Sequence, residues 1–126
     1  MSELANLTVA SQDGVVVATM SGEIDLSNAT RITRAVLGEV PNEAVGLVVD
    51  LSDVSYLDSA GVRMLAELER RLGWRAQALR IVAPTESRCR KVLSIAGMDG
   101  LLRLATTVED ARAQMEASGE GPDPPD

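Results

Sequence analysis

The 126-residue chain contains no histidine and no phenylalanine, and its aromatic residues are one tyrosine, Tyr56, and one tryptophan, Trp74. Without histidine, Ser-His-Asp and Cys-His nucleophile systems and His-rich metal sites are excluded. The scarcity of rings argues against stacking on nucleic acid bases. A net charge of −7 argues the same way, because phosphate binding draws on a basic surface. The single cysteine, Cys89, cannot close an internal disulfide, so nothing points to an oxidising compartment. Met1-Ser2-Glu3-Leu4 lacks the basic and apolar regions of a signal peptide, and no apolar run approaches membrane-spanning length. Neither common Gly-rich phosphate loop is present, so no nucleotide site, metal or other cofactor is expected. The expectation is a cytoplasmic protein that touches neither nucleic acid nor membrane directly.

What is present is an aliphatic globular composition, 45% apolar and 25% charged. Asp13-Gly14 between two apolar runs, Leu7–Val9 and Val15–Met20, predicts an antiparallel hairpin. Ala29, Ile32, Val36 and Val40 then fall on one helical face, with Asp25 or Ser27 as candidate cap and Pro41 after the end. Val45–Val49 reads as a strand covered on both faces. A second helix runs from about Ser59 to Leu72, with Val62, Leu65, Leu68 and Leu72 on one side and Gly73 placed to end it.

Leu79–Val82 is the next strand, and a third helix follows Pro84–Ser87 with Cys89, Val92, Leu93 and Ala96 on one face. Leu101–Leu104 is a last short strand. A final helix opens near Thr107, with Asp110 in a capping-box position and Ala111 and Met115 inward. The order β-β-α-β-α-β-α-β-α predicts a single α/β domain over residues 1–117, a mixed, mostly parallel sheet with helices packed on it. Residues 118–126, rich in Gly, Pro and acid, read as a disordered tail.

The stretch Asp50 to Val62 carries the most chemistry. An apolar strand ends in a carboxylate, crosses a polar segment, and delivers Ser59 where a helix begins. Ser59 has two readings: an N-cap accepting from the amide of Val62, worth about 1 kcal/mol, or an acceptor for a phosphate favoured by the helix N-terminus. Asp58 beside it would repel that phosphate, and Gly61 would leave the backbone open to a partner. A third use, as a hydrolytic nucleophile, needs a base; Lys91 or a carboxylate would have to serve, and no spacing supports either. Eight of the twelve basic residues fall between Arg70 and Arg103, as a solvated face, helix-end charges or a contact surface for an acidic partner. Cys89 reads as a small core residue.

Asp50-Leu51, Tyr56-Leu57 and Asp58-Ser59-Ala60-Gly61, preceded by Gly22-Glu23-Ile24-Asp25, resemble the signature of the STAS domain family, in particular the bacterial anti-sigma factor antagonists. The likeness extends over roughly residues 5 to 117. It implies a non-enzymatic binding module whose partners are an anti-sigma factor that is itself a serine kinase, and a serine phosphatase. By the same resemblance the unphosphorylated antagonist frees a sigma factor, and phosphorylation of Ser59 ends the binding. The implied contact surface comprises Asp25, Ser27, Tyr56, Leu57, Asp58, Ala60, Gly61, Val62, Arg63 and Met64, with the protein a monomer or weak dimer. Many relatives carry Ser or Thr where this chain has Ala60, which leaves Ser59 as the motif's one acceptor. Arg63 and Met64 replace the small residues usual early in the helix, and they are expected to face outward and tune partner choice. The alternative is a STAS-type structural or scaffold subunit of a signalling assembly or transporter complex.

Overall fold

The computed structural model describes residues 6–118. Strands β1 (Asn6–Gln12) and β2 (Val15–Ile24) are joined by Asp13 and Gly14, both at positive φ, 55° and 82°. That pair of left-handed residues matches the twist of a two-residue hairpin, and the strands run antiparallel with Gln12 opposite Val15. Helix α1 (Ala29–Gly38), strand β3 (Gly46–Leu57), helix α2 (Ser59–Trp74), strand β4 (Ala78–Val82), helix α3 (Arg88–Ile95), strand β5 (Leu104–Ala105) and helix α4 (Val108–Ser118) follow. The sheet order is β1-β2-β3-β4-β5, with every pair after the hairpin parallel.

Alternation along the strands divides the core into two layers. Val16, Ala18, Met20, Leu47, Val49, Leu79 and Ile81 pack with Ile32, Val36, Leu65, Leu68, Leu72 and Leu93 from α1, α2 and α3. On the other side Val15, Val48 and Val82 meet Ala111 and Met115 of α4, as the helical spacing predicted. Arg80 reaches that second layer, where it is buried and donates through Nε to Gln114 Oε1 at 2.8 Å. Between β3 and β4 the backbones come too close for a side chain: a Cβ on Gly46 would lie 2.5 Å from the carbonyl oxygen of Ala78. Gly46→Ala is therefore expected to spread the ladder and cost about 1–3 kcal/mol of stability, read by urea denaturation.

Several boundaries differ from the sequence reading: β2 runs on to Ile24, and α1 ends at Gly38, so Val40 is buried from the loop beyond it and not from the helix. The central strand does not stop at Val49 but continues to Leu57. Between Thr19 and Ser21 β2 advances two residues while β3 advances three, from Asp50 to Asp53; between Gly22 and Glu23 it advances one against two, from Val54 to Tyr56. Each irregularity gives β3 one extra residue, so its inward positions fall at Leu51, Val54 and Leu57, three apart instead of two. Side chains brace both places. Asp50 Oδ1 accepts from the amide of Ser52 at 3.0 Å and its hydroxyl at 2.7 Å, and Ser55 Oγ donates to Gly22 O at 3.3 Å.

Gly73 lies inside α2, and the left-handed residue after the helix is Ala76 at φ 57°. The last strand is two residues long because Met98–Gly100 form a turn of 3₁₀ helix and Leu101 is left exposed. Ala96, expected on the buried face of α3, is exposed, since the helix ends at Ile95. α4 is capped by Thr107, whose Oγ1 accepts from the amide of Asp110 at 3.0 Å; the Asp110 carboxylate takes a bond from the Thr106 hydroxyl at 3.0 Å. The tail assigned to residues 118–126 lies outside the described residues apart from Ser118.

Candidate functional site

The extended parts of β2 and β3 end together, with the amide of Asp58 donating to Ile24 O at 3.3 Å. There the chain turns into α2. Asp58 has extended dihedrals and its Oδ1 accepts from the amides of Ala60 and Gly61 at 2.9 and 3.1 Å. The cap of α2 is thus Asp58, not Ser59, a correction with a simple cause: Ser59 is already the first helical residue, so its side chain stands beside the free amides and not beneath them. The Ser59 hydroxyl is exposed and has no hydrogen-bond partner among the described residues. Neighbouring hydroxyls are engaged, Ser27 and Ser52 with carboxylates and Ser55 with a carbonyl. Asp58→Ala is expected to cost about 1 kcal/mol while Ser59→Ala changes stability by less than about 0.5 kcal/mol, both measured by thermal melting.

The turn from β2 to α1 forms the opposite lip. Asp25 Oδ1 accepts from the amide of Ser27 at 2.9 Å and from its hydroxyl. Buried Asn28 accepts from the amide of Asp25 at 3.0 Å and donates to Glu23 O at 2.9 Å. Neither Asp25 nor Ser27 caps α1, whose flanking residue is Asn28 and which has no side-chain cap bond. Their bonds close a tight turn instead, and that turn pushes Leu26 into solvent at 77% exposure. Asp25, Leu26, Ser27 and Asp58 surround a hollow of about 410 Å³.

Two grooves flank the start of α2. One, about 350 Å³, runs between α2 and α3 and is lined by Leu57, Asp58, Ser59, Val62, Arg63, Val92, Ile95 and Ala96. The other, about 470 Å³, lies between α1 and α2, with Leu26, Ala60 and Met64 among its apolar lining and Arg34, Arg63, Glu67 and Arg71 among its polar lining. Arg63 borders both.

Of the residues assigned to the contact surface, Ser27, Ser59 and Arg63 are exposed, Tyr56 is 43% exposed, and Asp25 and Asp58 are half-buried. Tyr56 stands opposite Glu23 at the end of β3 and lines neither groove. Leu57, Ala60, Gly61, Val62 and Met64 are buried. Four of them reach the surface as groove lining, and Gly61 faces inward, where a Cβ would lie 2.4 Å from Leu57 Cδ1 and 3.3 Å from Ile24 Cγ2. The smallness of Gly61 lets α2 sit down on β3 and does not open backbone to a partner. Met64, expected to face outward, is 3% exposed: it belongs to the core on the side of α2 that α1 covers and lines the α1–α2 groove with Ala29.

Sequence reasoning missed Leu26 and Ile95, the latter 82% exposed. A signal was there: Ile95 stands two places after Leu93, off the Cys89–Leu93 stripe, and Leu26 sits alone between two cap-type residues.

The basic residues from Arg70 to Arg103 do not make one face. Arg75 donates to Val40 O at 3.2 Å, Arg90 to Ala83 O at 2.9 Å, and Arg80 is buried. Arg70 and Arg71 pair with Glu67; the hydrogen bond from Arg70 chiefly, then that from Arg71, holds the Glu67 carboxyl below its usual range. Cys89 is a core thiol, as expected: burial pushes its pKa up to about 11, against a weaker opposing pull from Arg88, so it stays neutral at pH 7.

Residues 6–111 match the STAS domain, and the chain belongs to that family. Over 106 residues it is 35% identical to the anti-sigma-F factor antagonist RsfB of Mycobacterium tuberculosis, covering 83% of this chain and 84% of the relative. It superposes on the crystal structure of an anti-sigma factor antagonist from Mycobacterium paratuberculosis with a TM-score of 0.80 at 30% identity, over 92% of this chain and 99% of that one. Against the anti-sigma factor antagonist SpoIIAA in its unphosphorylated form the TM-score is 0.66 at 20% identity, over 89% and 97% of the two chains, a likeness of fold alone. These relatives are regulatory proteins by name. No helix among the described residues is long and apolar enough to cross a membrane.

Proposed function

We propose that this chain is an anti-sigma factor antagonist. Its surface around Ser59 binds an anti-sigma factor with serine kinase activity, phosphorylation of Ser59 ends that binding, and a serine phosphatase restores it. One observation carries the reading of the site: Ser59 presents a free, exposed hydroxyl at the head of α2 while Asp58 holds the helix cap. A phosphate can be added or removed there without unmaking the helix. In the reaction the Ser59 Oγ–P bond forms as the bond from the γ-phosphorus of ATP to its bridging oxygen breaks. ADP leaves, and the hydroxyl proton passes to a base of the kinase.

The contact surface consists of Ser59 and Arg63, the Asp25–Ser27 turn with Leu26, Asp58, and the groove beside Ile95. Leu57, Ala60, Val62 and Met64 contribute as groove lining. Exposed Leu26 and Ile95 beside charged Asp25, Asp58 and Arg63 give this surface the apolar patches and polar rim of an interface.

The test is to incubate the chain with purified serine-kinase anti-sigma factors from its own genome. Without ATP, one of them is expected to form a stable complex. With ATP the complex dissociates as one phosphate is added, and Ser59→Ala stays bound. If no anti-sigma factor binds the unmodified chain, or the complex survives complete phosphorylation, the reading fails.

A further inference from the structure

Ser59 and Arg63 stand four residues apart on α2, and both line the groove against α3. Side chains at that spacing lie one above the other on a helix, with Cβ atoms about 5–6 Å apart. Both residues are exposed. Arg63 has no ion-pair or hydrogen-bond partner among the described residues, whereas Arg70 and Arg71 share Glu67 and Arg75 holds Val40 O. It also stands close to a helix N-terminus, where the dipole disfavours a cation, and the first turn of α2 contains no acidic residue.

We infer that Arg63 is the phosphate-binding residue of the switched state, holding a phosphate carried on Ser59 as an ion pair along the surface of α2. The inference rests on Ser59 being the phosphorylated residue. A guanidinium fork matches two phosphate oxygens at once, which a lysine cannot do. The other groups around the phosphate are Asp58, whose Oδ1 is occupied by the amides of Ala60 and Gly61, and Asp25 across the hollow. α3 and its capping residue contribute Val92, Ile95 and Ala96, which carry no charge. Arg63 is therefore the cation of this groove, and it offsets the two carboxylates. Because Arg63 also borders the α1–α2 groove with Arg34, pairing with the phosphate draws it away from there. One modification thus changes the charge of both grooves.

The experiment installs phosphoserine at position 59 of the full chain during translation, so neither kinase nor partner is needed. Phosphorus NMR then follows the second ionisation of the phosphate, ordinarily near pH 6. A nearby guanidinium favours the dianion and lowers this pKa. At low salt it is expected about 0.2–0.4 units lower in the wild-type background than in Arg63→Gln, with Arg63→Lys between, and the difference should vanish near 1 M salt. Equal values for wild type and Arg63→Gln at low salt overturn the inference and leave the kinase reading standing. Failure of every kinase to modify Ser59 removes that reading and leaves this titration interpretable.

Discussion

Ser59→Asp is expected to weaken binding to the anti-sigma factor about 100-fold or more with the fold intact. The side chain it replaces is a neutral hydroxyl lining the α2–α3 groove, next to the half-buried carboxylate of Asp58. Burying a carboxylate there under the partner strips its water, and Arg63 beside it loses its own, a desolvation cost of several kcal/mol, about 3–5 when it is complete. Each 1.4 kcal/mol is tenfold in affinity, so about 3 kcal/mol is already 100-fold. Phosphate, with nearly two charges at pH 7, has the larger effect. The helix is untouched because Asp58 keeps its bonds to Ala60 and Gly61 and an acidic residue suits the first turn. Calorimetric titration of Ser59→Asp against the anti-sigma factor, beside its melting curve, checks both halves. Wild-type affinity from a folded variant contradicts the charge argument.

The largest loss of stability is expected from Leu51→Ala. Leu51 is fully buried within the first irregularity of β3, between Asp50 and Asp53, in the core layer under α1–α3. Removing a core leucine costs about 2–5 kcal/mol, which in a domain of this size lowers the melting temperature by roughly 10–20 °C. Asp53→Ala, two positions on, is expected to change stability by less than about 0.5 kcal/mol, because Asp53 is exposed. Under strict alternation from Leu51 these effects would not separate: Asp53 would face inward and its loss would matter. Denaturant unfolding of the two variants tests the three-residue spacing directly.

The order of elements was legible because hydrophobic period and turn chemistry agree locally. Asp13-Gly14 marked the hairpin, and Ile32–Val36, Leu65–Leu68–Leu72 and Ala111–Met115 marked the buried helix faces. The end of β3 was not, since each added residue turns a period of two into three, and Ser52, Asp53 and Ser55 then read as a polar loop. Met64 was misread for a related reason. It lies between the α2 stripe and α1, and the width of a buried face depends on whether a second helix covers its flank, which periodicity does not report.

The site was legible as a motif but not as a division of labour. Asp58 and Ser59 are both good capping residues, and one residue of shift in the helix start decides which hydroxyl or carboxylate meets the amides. That shift frees the serine. Leu26 and Ile95 carried a local signal, each standing off an apolar stripe, but only the fold shows that they border the two grooves at the start of α2.

The most direct measurement is phosphopeptide mapping of the wild-type chain by tandem mass spectrometry after incubation with its anti-sigma kinase and ATP. A single phosphate on Ser59 is the expected result, with Ser27, Ser52 and Ser55 unmodified because their hydroxyls are held by neighbouring oxygens. A phosphate on any of those three, with Ser59 unmodified, would contradict the account.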